Sequence, residues 1–69
     1  MVRVPVTSRS IASVGYDPDT KTLELEFVSG TVYQYFDVPQ SIHDALMAAD
    51  SKGAFVNALI KGYYRYTQI

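Results

Sequence analysis

Six of the 69 residues are tyrosines, and five of them fall in two clusters, Tyr33-Gln34-Tyr35 and Tyr63-Tyr64-Arg65-Tyr66. Tyrosine joins a flat apolar ring to a polar tip at modest entropic cost, which suits both base stacking and protein contact. Lys52, Lys61 and Arg65 share the last third of the chain with the second cluster and would supply the cations that a phosphate backbone requires. Lys52, Lys61, Arg65, Tyr33, Tyr35, Tyr63, Tyr64 and Tyr66 are therefore the candidate nucleic-acid-binding residues. Each has a plainer alternative. The rings can be core packing, and the lysines can be solvated helix ends, Lys61 with added help from the helix dipole.

Catalytic constellations are lacking by the same inspection. His43 is the only histidine; Ser41 and Asp44 accompany it on one helix, where side chains one and two apart do not face each other. Glu24 and Glu26 share a strand face and could form an acid–base pair, but an ordinary wet hairpin face is the preferred reading. The glycines at 15, 30, 53 and 62 match no phosphate-cradling spacing, and the absence of cysteine excludes disulfides and thiolate zinc sites. No catalytic residue, metal site or cofactor is expected, which points to a binding module and away from an enzyme.

Composition sets the frame for the fold. Hydrophobic residues make up 48% and charged residues 19%, enough for one compact core but little more in a chain this short. The net charge of −1 provides no global attraction for a polyanion, so any nucleic-acid contact must be a local patch. No stretch approaches the roughly 20 apolar residues of a membrane span, and cytoplasm is the expected compartment.

Period-two patterning from Ser10, interrupted by Asp17-Pro18-Asp19, predicts a hairpin with Tyr16, Val14 and Ala12 opposite Leu23, Leu25 and Phe27, and with Glu24 and Glu26 in water. The turn at Val28-Ser29-Gly30 has two solutions. A two-residue turn buries Gln34 without a partner. A three-residue loop with Gly30 in the left-handed region turns Tyr33 and Tyr35 toward the core and exposes Val32 and Phe36, and is preferred because an unsatisfied buried amide costs about 1–3 kcal/mol. After Val38-Pro39, the stripe Ile42, Ala45, Leu46, Ala49 predicts a helix. Ser51 is the expected N-cap of a second helix over 52–60 with Phe55 and Leu59 inward. Residues 63–69 form an extended segment, and strand alternation would expose either Tyr64 and Tyr66 or Tyr63 and Arg65.

The run Ser10-Ile11-Ala12-Ser13-Val14-Gly15-Tyr16-Asp17, then Leu23 to Phe27, Ser29-Gly30, Tyr33-x-Tyr35, Val38-Pro39 and Ser51-Lys52-Gly53-x-Phe55-x-Asn57 leading to Ile60 and Tyr64, together resemble the KTSC domain. This short domain is found at the C-terminus of some lysyl-tRNA synthetases and as a stand-alone bacterial protein, and the likeness runs from Ser10 to Ile69. The resemblance implies RNA or tRNA as a ligand, through association with a tRNA-handling enzyme. Ala54, Ala58 and the ending Tyr66-Thr67-Gln68-Ile69 stand where family members often carry further basic residues, so such binding is expected to be weak. The expected architecture is α+β: a three-stranded antiparallel meander packed by one or two helices, with a C-terminal strand-like segment, residues 10–69 being the domain and 1–9 an extension. RNA is the first expected partner, and protein contact or self-association through Val32, Phe36 and the tyrosines is the alternative.

Overall fold

The computed structural model describes all 69 residues, Met1–Ile69. In chain order they form β1 (Arg3–Pro5), β2 (Ile11–Asp17), β3 (Thr22–Phe27), β4 (Val32–Tyr35), α1 (Gln40–Ala48), α2 (Lys52–Leu59) and β5 (Tyr66–Gln68). The sheet is antiparallel with five strands in sequence order. The expected three-stranded meander is its centre. Arg3–Pro5, within the stretch read as an extension, adds one edge strand, and the C-terminal segment pairs with β4 as the other. A three-residue strand ending in proline leaves too little period-two pattern to read in advance.

Turn chemistry sets the registers. The Asp17 carboxylate accepts a hydrogen bond from the Asp19 amide at 2.9 Å, and the loop over 18–21 brings Tyr16 opposite Leu23 and Val14 opposite Leu25, as expected. A bulge between Ile11 and Ser13 changes the third pair: Ile11, not Ala12, lies opposite Phe27. At the second turn Gly30 has φ +94°, Phe27 and Thr31 close the loop at 2.9 Å, and Leu25 and Leu23 face Tyr33 and Tyr35. The three-residue solution is the one adopted.

Nine residues form the core: Ile11, Val14, Leu23, Leu25, Tyr35, Val38, Leu46, Val56 and Ile60. Ser51 caps α2, its hydroxyl accepting from the Ala54 amide at 3.3 Å. The inward stripe of that helix is Val56 with Ile60, however, and Leu59 is exposed where it was expected inside; Phe55 is half-buried. In α1, Leu46 is buried and Ile42 half-buried, but Ala45 faces out, and Met47 packs against the core. Val32 and Phe36, expected to be exposed, are half-buried.

The other sheet face carries the largest departure from expectation. Glu24 is not in water: it is only 6% exposed. Arg3 donates to its Oε2 at 2.8 Å and Gln34 donates to its Oε1 at 2.9 Å. β1 brings Arg3 opposite Gly15, where a Cβ would sit 3.1 Å from both Arg3 Cγ and Met1 Sδ. Glycine therefore lets the N-terminal strand lie close enough to cover Glu24. Glu26 is half-buried and accepts from the Ser13 hydroxyl at 2.8 Å. Arg3→Ala would leave a buried carboxylate short of a charged partner, at a cost of about 1–3 kcal/mol. Replacing both members, Arg3→Met with Glu24→Leu, should recover much of that loss, because no uncompensated charge remains. Urea unfolding midpoints of the single and double variants test this.

Candidate nucleic-acid interface

Strand alternation places Phe27, Tyr33, Tyr35 and Tyr66 on the same sheet face as Leu23 and Leu25. Five strands span roughly 19 Å at their usual spacing, and helices of nine and eight residues do not cover that width. At the β4–β5 end the face stays open as a groove of about 790 Å³, bounded by these rings, the Val28–Ser29 turn, Lys61-Gly62 and Arg9-Ser10. The rings form one connected cluster. Tyr33 meets Phe27 and Tyr66 edge to face at centroid distances of 5.7 Å, and Tyr35 meets Tyr66 at 5.7 Å with a tilt of 37°.

The groove continues into two neighbouring depressions. Arg9 and Ser10 also line a polar hollow with Lys52, Asp50 and Thr7. Gly62 and Tyr66 also line a shallow surface made by Phe36, Tyr63, Tyr64 and Arg65. Lys52, Arg9, Lys61 and Arg65, four of the six basic residues, thus follow one another along a continuous band with the tyrosines at its centre. Lys61 Nζ lies 5.8 Å from the Phe27 ring centroid, a cation–π distance that holds it at the groove rim. Arg65 is paired with Asp37 at 2.8 Å, both side chains being more than 70% exposed; such a pair is worth at most about 1 kcal/mol. Lys52 donates to the Ala49 carbonyl at 3.1 Å.

The expected site residues divide accordingly. Tyr33, Tyr35, Tyr66 and Lys61 meet in the groove, Lys52 lies in the adjoining hollow, and Tyr63, Tyr64 and Arg65 line the far depression. Tyr64 packs against the core while Tyr63 is 70% exposed. Of the two expected alternations, the one that exposes Tyr63 and Arg65 holds for those residues, but Tyr66 is exposed as well, because residues 60–63 are a turn and the strand starts only at Tyr66. Arg9 was missed: it lies in a loop remote in sequence from the aromatic clusters, and only the path from β1 to β2 brings it to the groove.

Tyr35 is only 3% exposed, yet its hydroxyl makes no hydrogen bond within the chain, and no fully buried polar side-chain atom lacks a partner. The hydroxyl therefore keeps some open surface, facing the groove. Tyr16 contrasts with it, its hydroxyl donating to the Val38 carbonyl. His43 stacks on Tyr16 at 4.9 Å and approaches the Asp44 carboxylate at 3.0 Å, so these adjacent helix residues do touch through their side chains, contrary to expectation.

These two phenols define a stability test. Tyr16→Phe deletes an internal hydrogen bond and should cost about 1 kcal/mol, whereas Tyr35→Phe removes a hydroxyl with no internal partner and should change stability by less than about 0.5 kcal/mol. Both phenol pKa values are raised, chiefly by desolvation, with Asp44 and Asp17 adding to the effect at Tyr16 and Tyr33 and Tyr66 at Tyr35. The folded state binds these protons more tightly than the unfolded chain. Their stabilising contribution is thus whole below the ordinary phenol value of about 10 and is lost as pH rises through the raised values. Denaturation curves should be flat to about pH 9 and then fall, and the fall should be smaller in the double variant Tyr16→Phe, Tyr35→Phe.

Comparison with known proteins agrees with this architecture. Residues 7–64 match the KTSC domain family. An uncharacterized protein of Stutzerimonas stutzeri is 46% identical, the match covering 100% of this chain and 99% of that protein. A lysine–tRNA ligase of Nostoc sp. is 44% identical over 59 residues, 86% of this chain but 10% of the enzyme. The crystal structure of a KTSC domain protein from Yersinia pestis superposes with a TM-score of 0.96 at 44% identity, covering 99% of this chain and 96% of that one. With its sheet order, its residue pattern and its relatives in agreement, the chain belongs to the KTSC domain family.

Proposed function

We propose that this domain is a non-catalytic module that binds single-stranded RNA along the band from Lys52 and Arg9, through the tyrosine groove and Lys61, to Arg65. The observation that carries the reading is the continuity of that band: four cations of a net-negative chain adjoin a connected aromatic cluster. Aromatic platforms take up bases of any sequence while cations track the backbone. The Nostoc relative is a lysine–tRNA ligase, which favours RNA, tRNA included, as the polymer. Self-association is the weaker reading, because Val32 and Phe36, two of its expected contacts, are half-buried.

Binding by so few cations is modest and strongly salt-dependent. Anisotropy titrations of a labelled single-stranded RNA at low ionic strength should show affinity falling with salt. Arg9→Ala with Lys61→Ala should weaken binding and make the slope of log K against log salt shallower by about 0.7 for each lost phosphate contact. Lys21→Ala, at the hairpin tip away from the band, should leave both unchanged. A wild-type protein that shows no shift with single-stranded RNA or tRNA in low salt sinks the proposal.

A further inference from the structure

We infer that the groove seats one nucleobase of the bound strand: Tyr66 stacks on it, the Tyr35 hydroxyl meets its polar edge, and Lys61 with Arg9 holds the adjoining phosphate. This inference rests on the RNA-binding reading and adds base discrimination to it.

Three observations lead there. Tyr33, Tyr35 and Tyr66 already touch one another at centroid distances of 5.7 to 6.5 Å, so a flat ligand cannot slide between them. The most exposed ring of the groove is Tyr66, which is 62% exposed and stands where the groove meets the depression beside Arg65. A base lying there has its ring against a phenol, the arrangement that stabilises single-stranded binding.

The second observation is the Tyr35 hydroxyl. Buried phenols ordinarily find a hydrogen-bond partner in the protein; here even the half-buried Tyr16 does so through the Val38 carbonyl. Tyr35 is nearly as deeply buried as the aliphatic core, yet its hydroxyl is left open to the groove without an internal partner. A phenol both donates and accepts, so it can answer either kind of group on a base edge. Every base edge carries donors or acceptors, so discrimination comes from position: a base whose polar group falls out of reach of the hydroxyl leaves it unsatisfied.

The third is charge. Arg9 and Lys61 line the groove and neither pairs with a carboxylate, while no acidic side chain lines it. The aromatic floor with two free cations at its edge matches an aromatic ring carrying a phosphate, which is a nucleotide.

The experiment compares oligo(A), oligo(C) and oligo(U) eight-mers by anisotropy, for wild type and for Tyr35→Phe, which lacks one oxygen and no internal bond. Nucleoside 5′-monophosphates and ribose 5-phosphate are titrated in parallel while backbone amides are followed by NMR. Wild type should prefer one base over another by roughly two- to tenfold, the worth of one hydrogen bond, and Tyr35→Phe should erase that preference. Tyr66→Ala should weaken all three strands by about tenfold, as expected for one lost stacking platform. A nucleotide should shift the amides of Tyr35, Lys61, Gly62 and Tyr66 more than ribose 5-phosphate does. If RNA binds in a salt-dependent way but the base preference survives in Tyr35→Phe, or ribose 5-phosphate shifts those amides equally, the base seat is overturned and the general RNA reading stands. If no strand binds at low salt, the RNA reading itself is overturned.

Discussion

The register between β3 and β4 is the constraint on which the rest of this molecule depends. Gly30, at φ +94°, permits a three-residue loop, and the one-residue difference from a two-residue loop determines the face to which every β4 side chain belongs. With the loop as it is, Tyr33 and Tyr35 join Leu25 and Leu23, and Gln34 faces Glu24. The opposite register would send both phenols to the outer face and bring Gln34 into the core. The aromatic groove and the polar cluster on the reverse side are two consequences of this single turn.

Each face then meets its own difficulty. On the helix side, α1 and α2 are too short to cover five strands, so apolar burial is concentrated over β2 and β3 and the β4–β5 end stays open. Tyrosine suits that boundary, since its ring packs inward while its hydroxyl tolerates water. On the far side no helix packs at all, and β1 supplies the cover. Its Arg3 closes over Glu24, which also accepts from Gln34. A carboxylate at 6% exposure is tolerable only because both oxygens have partners.

What could be read from the residues follows from which interactions are local. The two hairpins, the Ser51 cap and the inward tyrosines rest on turn chemistry within a few residues of the feature, and these expectations hold. The failures involve partners distant in sequence. Glu24 looked solvated because its cover comes from Arg3, 21 residues earlier. Ala12 lost its place opposite Phe27 to a bulge that has no marker in the pattern. Leu59, four residues after Phe55, reads as inward from the pattern, whereas the rotation of α2 is set by how Val56 and Ile60 meet the sheet. The candidate site was half visible for the same reason: the tyrosines announce themselves as clusters, but Arg9 reaches them only through the fold.

A chain of net charge −1 can still gather cations on one side, although Asp50 lines the hollow beside Lys52 and Asp37 pairs with Arg65 there. Glu24 and Glu26 lie on the outer side of the sheet, the first neutralised by Arg3 and the second hydrogen-bonded to Ser13. Arg9, Lys52 and Lys61 lie around the helix-side groove with no carboxylate paired to them. At physiological ionic strength the Debye length is about 8 Å, so a phosphate at the groove responds to the cations beside it far more than to carboxylates across the sheet. On the proposed RNA reading, net charge would govern how slowly the domain gathers a polyanion from a distance, and the local arrangement how firmly a strand would be held. With so few unpaired cations, such a hold would depend on two or three side chains. A domain of this size would then act best where RNA is already near, and a place on a larger tRNA-handling protein, as in the Nostoc relative, would meet that physical requirement by raising the effective concentration.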